Sequence, residues 1–172
     1  MRLALIAATL IGMASAASAQ PPQASSVEIF DAGIYERSVS SFYRGADGVG
    51  QTVVENQRLI EATTRIPMRP QATFGFRYRV VGEPEGATVA LRRVTRFPSP
   101  GARPPGSQAP VHESSAPEQG VIGTVRYADY RLDEPWELLP GTWTIEIWQG
   151  DRMLGSQRFT VIAPQQIVQA AR

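Results

Sequence analysis

The strongest hydrophobic–polar pattern in the chain lies near its C-terminal end, in Trp136–Val161 (WELLPGTWTIEIWQGDRMLGSQRFTV), which holds all three tryptophans. From Thr142 to Trp148 the residues alternate. Trp143, Ile145 and Ile147 fall on one face and Thr142, Thr144 and Glu146 on the other. A period of two is the signature of a strand with one buried face. Trp148 falls on the outward face at the strand end. Gln149–Arg152 is polar and glycine-containing, a turn, so the stretch predicts a β-hairpin returning through Phe159-Thr160-Val161. Leu154 has the opposite parity to Phe159 and Val161, which predicts a bulge near Gly155-Ser156.

The same period recurs upstream. In Thr73–Val81, Phe74, Phe76, Tyr78 and Val80 share one face, and Gly75, Arg77 and Arg79 share the other. Gly82–Gly86 (GEPEG) is a turn signal, and Ala87–Phe97 follows with Val89 and Leu91 inward. These two strands are expected to form a second hairpin. Val27–Glu36 is a strand with Gly33 as a bulge or bend. Glu55–Ile66 alternates weakly and is stopped by Pro67 and Pro70. Val121–Leu132 is a strand broken by Asp133-Glu134-Pro135, and Pro140-Gly141 is a turn. Arg37–Val54 reads as a loop, with Asp47-Gly48 able to close a small hairpin. Pro98–Gln119 reads as one long loop because proline removes ladder donors. Regular turn signals, about six to eight strands and no long helical period predict an antiparallel β-sandwich.

Residues 1–19 (MRLALIAATLIGMASAASA) have the form of an export signal: Arg2, an apolar run from Leu3 to Met13, and Ala17-Ser18-Ala19 as a small-x-small cleavage motif. The run is too short to span a bilayer, and no other segment is apolar enough to cross a membrane. The expected order is a signal peptide at 1–19, a disordered lead at 20–26, a sandwich at 27–163 and a tail at 164–172. The destination is a bacterial periplasm or the exterior, after cleavage near Ala19, with no integral membrane anchor.

Charge narrows the function. Seventeen basic residues, all arginine, face 16 acidic ones, and that near balance lacks the basic footprint of a nucleic-acid binder. There is no cysteine, which excludes disulfides, thiolate catalysis, thiolate zinc sites and a lipid-anchoring cysteine.

PWELLPGTWTIEIWQGDRMLGSQRFTV resembles the C-terminal signature of a small family of exported bacterial proteins classed only as a domain of unknown function. Trp136-Glu137-Leu138, Pro140-Gly141-Thr142-Trp143 and Phe159-Thr160-Val161 are its core. Ile34-Tyr35, Ile66-Pro67, Phe74-Gly75-Phe76 and Arg96-Phe97-Pro98 extend the match over most of 27–163. The resemblance implies an immunoglobulin-like fold and carries over no catalytic residue. The expected fold is therefore an all-β, antiparallel, immunoglobulin-like sandwich with one long proline-rich loop.

Candidate chemistry is sparse. His112, the single histidine, stands in the proline-rich loop beside Glu113 and cannot build a histidine zinc site; a triad would have to use it, and no Gly-x-Ser-x-Gly elbow accompanies it. No metal or cofactor is expected. Asp129, Asp133, Glu134 and Glu137 cluster near Tyr127, Tyr130 and Trp136, and paired carboxylates beside aromatics could serve a hydrolase of envelope sugars. The plainer reading of Asp133-Glu134-Pro135 is a solvated turn, with Trp136 plugging the end of the core. The expected binding surface is Arg77, Arg79, Trp148 and Glu137. Arg77 and Arg79 are taken to neighbour Arg92, Arg93 and Arg96 in a basic patch that would meet an envelope protein or an anionic polymer. Trp148 and Glu137 are the hairpin residues that packing explains least. Strand addition at an open edge is a third mode. The reading is a non-catalytic binding or structural accessory domain of the cell envelope, with the sugar hydrolase as its alternative.

Overall fold

A computed structural model describes residues 21–44 and 50–164; for 38–44 and 50–56 it describes the backbone alone. Among the described residues there are nine strands: β1 (Gln23–Arg44), β2 (Gly50–Glu61), β3 (Arg65–Pro67), β4 (Thr73–Glu83), β5 (Thr88–Arg96), β6 (Glu113–Val121), β7 (Val125–Arg131), β8 (Gly141–Gln149) and β9 (Arg152–Ile162). They form two sheets, a four-stranded one in the order β2-β1-β4-β7 and a five-stranded one in the order β3-β9-β8-β5-β6. Every pairing is antiparallel except the short parallel contact of β3 with β9. No helix among the described residues is long and apolar enough to cross a membrane.

The core is the meeting of the two inward faces. Phe74, Phe76, Tyr78 and Val80 of β4 are fully buried, as are Trp143, Ile145 and Ile147 of β8, in agreement with the alternation of both strands. Trp143 lies between the sheets with ring centroids 5.8 Å from Phe74, 5.0 Å from Phe97 and 5.0 Å from Tyr130. Its indole N–H donates to the Leu139 carbonyl at 3.0 Å, so the ring is buried without leaving a donor unpaired. In the final hairpin the ladder slips between Ile147 and Trp148 and leaves Leu154 as the extra residue, one position before the expected bulge.

Four expectations change. The β4–β5 hairpin does not form: β4 pairs with β1 and β7, and β5 pairs with β6 and β8 in the other sheet. Alternation identifies the apolar face of a strand but not the sheet it joins, and two apolar faces can oppose each other as readily as lie side by side. The β6–β7 connection crosses between the sheets beside the β4–β5 one, and Gly86 N–H bonds the Ile122 carbonyl between them at 3.0 Å. Second, Glu55–Ile66 is not one strand. It divides into β2 and β3 in different sheets, which leaves Ile60 exposed and Ile66 buried. Third, Glu113–Gln119, expected in the loop, lies within β6, with Pro117 opposite Arg92. β6 is an edge strand, where one row of N–H groups faces no partner and proline loses no ladder bond.

The fourth change concerns β1. It starts at Gln23, so Gln23–Ser26 belongs to the sheet and not to a disordered lead. The Ala24 N–H bonds Gln149 Oε1 at 3.0 Å, and the Arg152 guanidinium donates to the carbonyls of Ala24 and Ser25. These backbone contacts come from the β8–β9 turn and leave no trace in local composition. Arg37–Arg44 and Gly50–Val54, expected as loop, are strand, with Val39–Arg44 paired to Gly50–Val54 and Arg37 and Ser38 paired to Gln57 and Asn56; Asp47-Gly48 and residues 1–20 lie outside the described residues.

β1 changes partner along its length. Gln23–Ile34 pairs with β4, and Ile34–Arg44 pairs with β2. The hand-over lies beside a bulge between Phe30 and Gly33, in the region where a bulge was expected, with Asp31 at φ 54°. Gly33 is needed there, because a Cβ would stand 2.0 Å from the Glu61 carbonyl oxygen. Beyond Ile34, β1 pairs with no strand on its β4 side among the described residues, and a notch opens.

Gly75 is the second glycine that the ladder requires. A Cβ there would lie 2.2 Å from the Ala128 carbonyl oxygen and 2.6 Å from Asp129 Cα. Gly75→Ala is expected to force β4 and β7 apart and to lower stability by about 1–3 kcal/mol, the usual cost of overpacking. Urea denaturation of the two proteins checks this; an unchanged midpoint would mean that the ladder yields freely.

Candidate functional site

The four residues expected to form one surface occupy three places. Arg77 and Arg79 project from the outer face of the four-stranded sheet, where β1 supplies a carboxylate for each: Asp31 at 3.0 Å from Arg77 and Glu28 at 3.1 Å from Arg79. These pairs are exposed and worth little individually, but they cancel the expected charge. Arg92, Arg93 and Arg96 belong to the other sheet, so the basic patch does not assemble. What the register builds is a cross-strand row, Phe30 opposite Arg77 opposite Tyr127. The Arg77 guanidinium lies 5.2 Å from the Phe30 ring centroid and 5.7 Å from that of Tyr127. Such contacts contribute about 0.5–1 kcal/mol where exposed. Tyr127 and Val125 remain 39% and 37% exposed, an apolar margin to the row.

Trp148 lies on the outer face of the five-stranded sheet. Arg92 sits 5.4 Å over its ring, and its indole N–H donates to Glu146 Oε2 at 2.9 Å. Glu146, on the outward face by alternation, is buried there. Arg96 Nε donates to its other oxygen at 2.7 Å, and Arg96 also pairs with Glu113.

Glu137 is buried in the 3-10 turn Pro135–Glu137. It accepts from the Tyr130 hydroxyl at 2.8 Å and from the N–H groups of Asp133 and Glu134 at 2.7 and 2.8 Å. It is the polar plug of that corner. Burial pushes its carboxyl above the usual carboxylate range, against the opposing pull of its hydrogen bonds.

The carboxylates around it are engaged as well. Asp129 on β7 is held from both sides: Arg37 Nη1 lies 2.8 Å from Oδ2, and Arg93, reaching from the other sheet, donates to the Asp129 carbonyl at 3.0 Å. Asp133 pairs with Arg131 at 2.8 Å and lies 3.7 Å from Arg37. Glu134 closes a reciprocal cap with Glu137. Tyr130 belongs to the core and Trp136 packs against it, so the aromatic wall of a sugar-cleaving groove is not assembled. Exposed His112 lies in the loop that crosses Ala102 and Val111, and no group of three or more metal-ligating side chains occurs among the described residues.

The edges between β6 and β7 carry inward-pointing charge. Arg93 Nε lies 3.3 Å from Glu118, which accepts from the Tyr78 hydroxyl at 3.2 Å, and burial followed by the Glu118 charge pushes the Tyr78 phenol upward. Charge directed inward, together with Pro117 on β6, blunts strand addition on that side.

The sequence reading missed the notch beyond Ile34. It is a cavity of about 430 Å³ whose lining includes Tyr35, Arg37, Arg58, Arg69, Gln71 and Arg131. Arg37 fell in a stretch read as loop, and Arg69 and Arg131 are distant in sequence. They meet because Gln71 N–H bonds the Leu132 carbonyl at 2.7 Å. Gln71 takes a left-handed φ of 64° to do so. Buried Tyr35 walls the notch and meets Tyr127 edge-on at 6.2 Å, which joins the notch to the Phe30–Arg77–Tyr127 row. Burial, and next the Asp31 charge, push the Tyr35 phenol up to about 12, so it stays a neutral donor.

A family model described as a domain of unknown function, DUF3859, matches residues 23–161. The chain belongs to this family. The DUF3859 domain is similar to the crystal structure of an immunoglobulin-like protein from Pseudomonas aeruginosa, with 28% identity and a TM-score of 0.53 over 79% of this chain and 96% of that one. A β-glucosidase from Kluyveromyces marxianus overlays at 13% identity and a TM-score of 0.28, over 74% of this chain and 14% of its own. No curated protein matches. The fold of the DUF3859 domain is thus all-β and immunoglobulin-like, with nine strands among the described residues where about six to eight were expected.

Replacement of Glu137 tests the plug. Glu137→Ala removes the carboxylate acceptor shared by the part-buried Asp133 and Glu134 N–H groups and the Tyr130 hydroxyl, and should cost roughly 2–4 kcal/mol. Because folding raises the Glu137 pKa, its contribution is most favourable below the ordinary carboxylate range and declines as pH rises toward the folded-state value. Glu137→Gln cannot titrate, so its stability relative to wild type should improve from about pH 4 to about pH 7. Urea denaturation at both pH values decides; a flat or falling difference would contradict the raised pKa.

Proposed function

We propose that this DUF3859 domain is an exported, non-catalytic binding or structural accessory of the bacterial cell envelope, periplasmic or secreted after cleavage near Ala19. Its ligand is an envelope protein or an anionic polymer. The observation that carries the binding reading is the Phe30–Arg77–Tyr127 row with its exposed Tyr127 and Val125 margin. Two aromatic rings flanking an arginine offer apolar contact with a polar handle, the composition that interfaces favour. The non-catalytic reading is supported by the commitment of Asp129, Asp133 and Glu137 to partners inside the fold. The export reading rests on the form of residues 1–19.

Tagged protein produced in a bacterial host should be released with the periplasmic or external fraction, with residues 1–19 removed. Crosslinked recovery of envelope material should fall several-fold in Tyr127→Ala, which alters an exposed side chain and spares the core. Retention in the cytoplasm would defeat the export reading, and equal recovery by both proteins would defeat the assignment of this face.

A further inference from the structure

We infer that the notch beyond Ile34 is an anion-binding pocket that takes one singly charged oxyanion, a carboxylate or a phosphodiester. Charge bookkeeping selects that valence. Arg37, Arg58, Arg69 and Arg131 line the notch. Arg58 is matched by Glu36 at 2.7 Å, Arg37 by Asp129 at 2.8 Å and Arg131 by Asp133 at 2.8 Å. Arg69 is exposed and forms no ion pair among the described residues. One positive charge is left over, and one negative group neutralises it.

Donor capacity points the same way. The Arg37 side chain is only 7% exposed, and its Nε has no acceptor. Of its contacts, Nη1 to Asp129 is a hydrogen bond, whereas Nη2 stands 3.7 Å from Asp133. Arg131 Nε is within ion-pair distance of Asp133 Oδ1 but is not aligned for a hydrogen bond. Guanidinium forks match the geometry of carboxylate and phosphate oxygens, and buried donors left unfilled are costly. The cavity, about 430 Å³, falls within the range of small-ligand sites. The left-handed backbone of Gln71, a non-glycine residue on its wall, is the kind of local strain that collects at binding sites.

Tyr35 connects the pocket to the outer face of the four-stranded sheet. An acidic group in the notch would therefore anchor a ligand lying along the Phe30–Arg77–Tyr127 row. That part rests on the proposed function; occupation of the pocket by an anion does not.

The test is an NMR titration of the signal-cleaved, ¹⁵N-labelled protein at low ionic strength. Glucuronate and dimethyl phosphate are the probes and glucose is the neutral control. At least one anion should saturably shift the Nε–H signals of Arg69 and Arg131, and glucose should not. The tighter of the two anions tells carboxylate from phosphodiester. Arg69→Ala should weaken the binding about tenfold or more, as loss of a charge-assisted hydrogen bond does, and Arg103→Ala, in the proline-rich loop, should not. Absence of a saturable shift with both anions, or wild-type affinity in Arg69→Ala, overturns the pocket. If that happens while Tyr127-dependent recovery of envelope material persists, the pocket fails alone. If the anions bind and no envelope material is recovered, the envelope reading fails and the pocket stands.

Discussion

The contact between Trp143 on one sheet and Phe74 on the other, with Phe97, Tyr130 and Phe159 around them, is what the rest of the structure depends on. A sheet with one apolar face is stable only when that face is covered, and here each sheet covers the other. Two of the crossings between sheets, at Glu83–Thr88 and Val121–Val125, carry consecutive strands from one apolar face to the opposite one. The crossings explain why β4 and β5, neighbours in sequence, are not partners in the ladder.

Filling the middle with aromatic rings displaces charge to the margins. Arg93, Glu118 and Asp129 hold the side where β6 and β7 form edges, and Glu137 closes the corner beside Tyr130. The Asp129–Glu137 stretch, read by itself, is a row of acids beside aromatics and could suit hydrolytic chemistry. In three dimensions these acids are the counter-ions and hydrogen-bond acceptors that let arginines and a tight turn be buried. The places with capacity to spare are the outer face around Tyr127 and the arginine-lined notch.

Much of the fold was legible because a period of two reports burial directly. The inward sets of β4 and β8 are read off the alternation, and Gly33 marked the region of a bulge. The misreadings share a cause. Pro117 seemed to exclude a strand, but an edge position tolerates it; the weak pattern of Glu55–Ile66 concealed a change of sheet; Gln23–Ser26 had no apolar pattern because Gln149 and Arg152 secure its backbone. Of the candidate site, Arg77 was identifiable as outward-facing, but its pairing with Asp31 and its contact with Tyr127 depend on which strands flank β4.

The sequence by itself determined the class of the fold, the faces of its best strands and the absence of thiolate chemistry, since these follow from residue type and local period. Tertiary structure alone decided which strands pair, that Arg77 and Arg79 are neutralised, that Glu137 is a buried acceptor, and that Arg37, Arg58, Arg69 and Arg131 line one notch. The physical reason is that alternation specifies the direction of a side chain relative to its own strand. Partners are set by contacts between distant segments, and those exist only after the two faces around Trp143 have met.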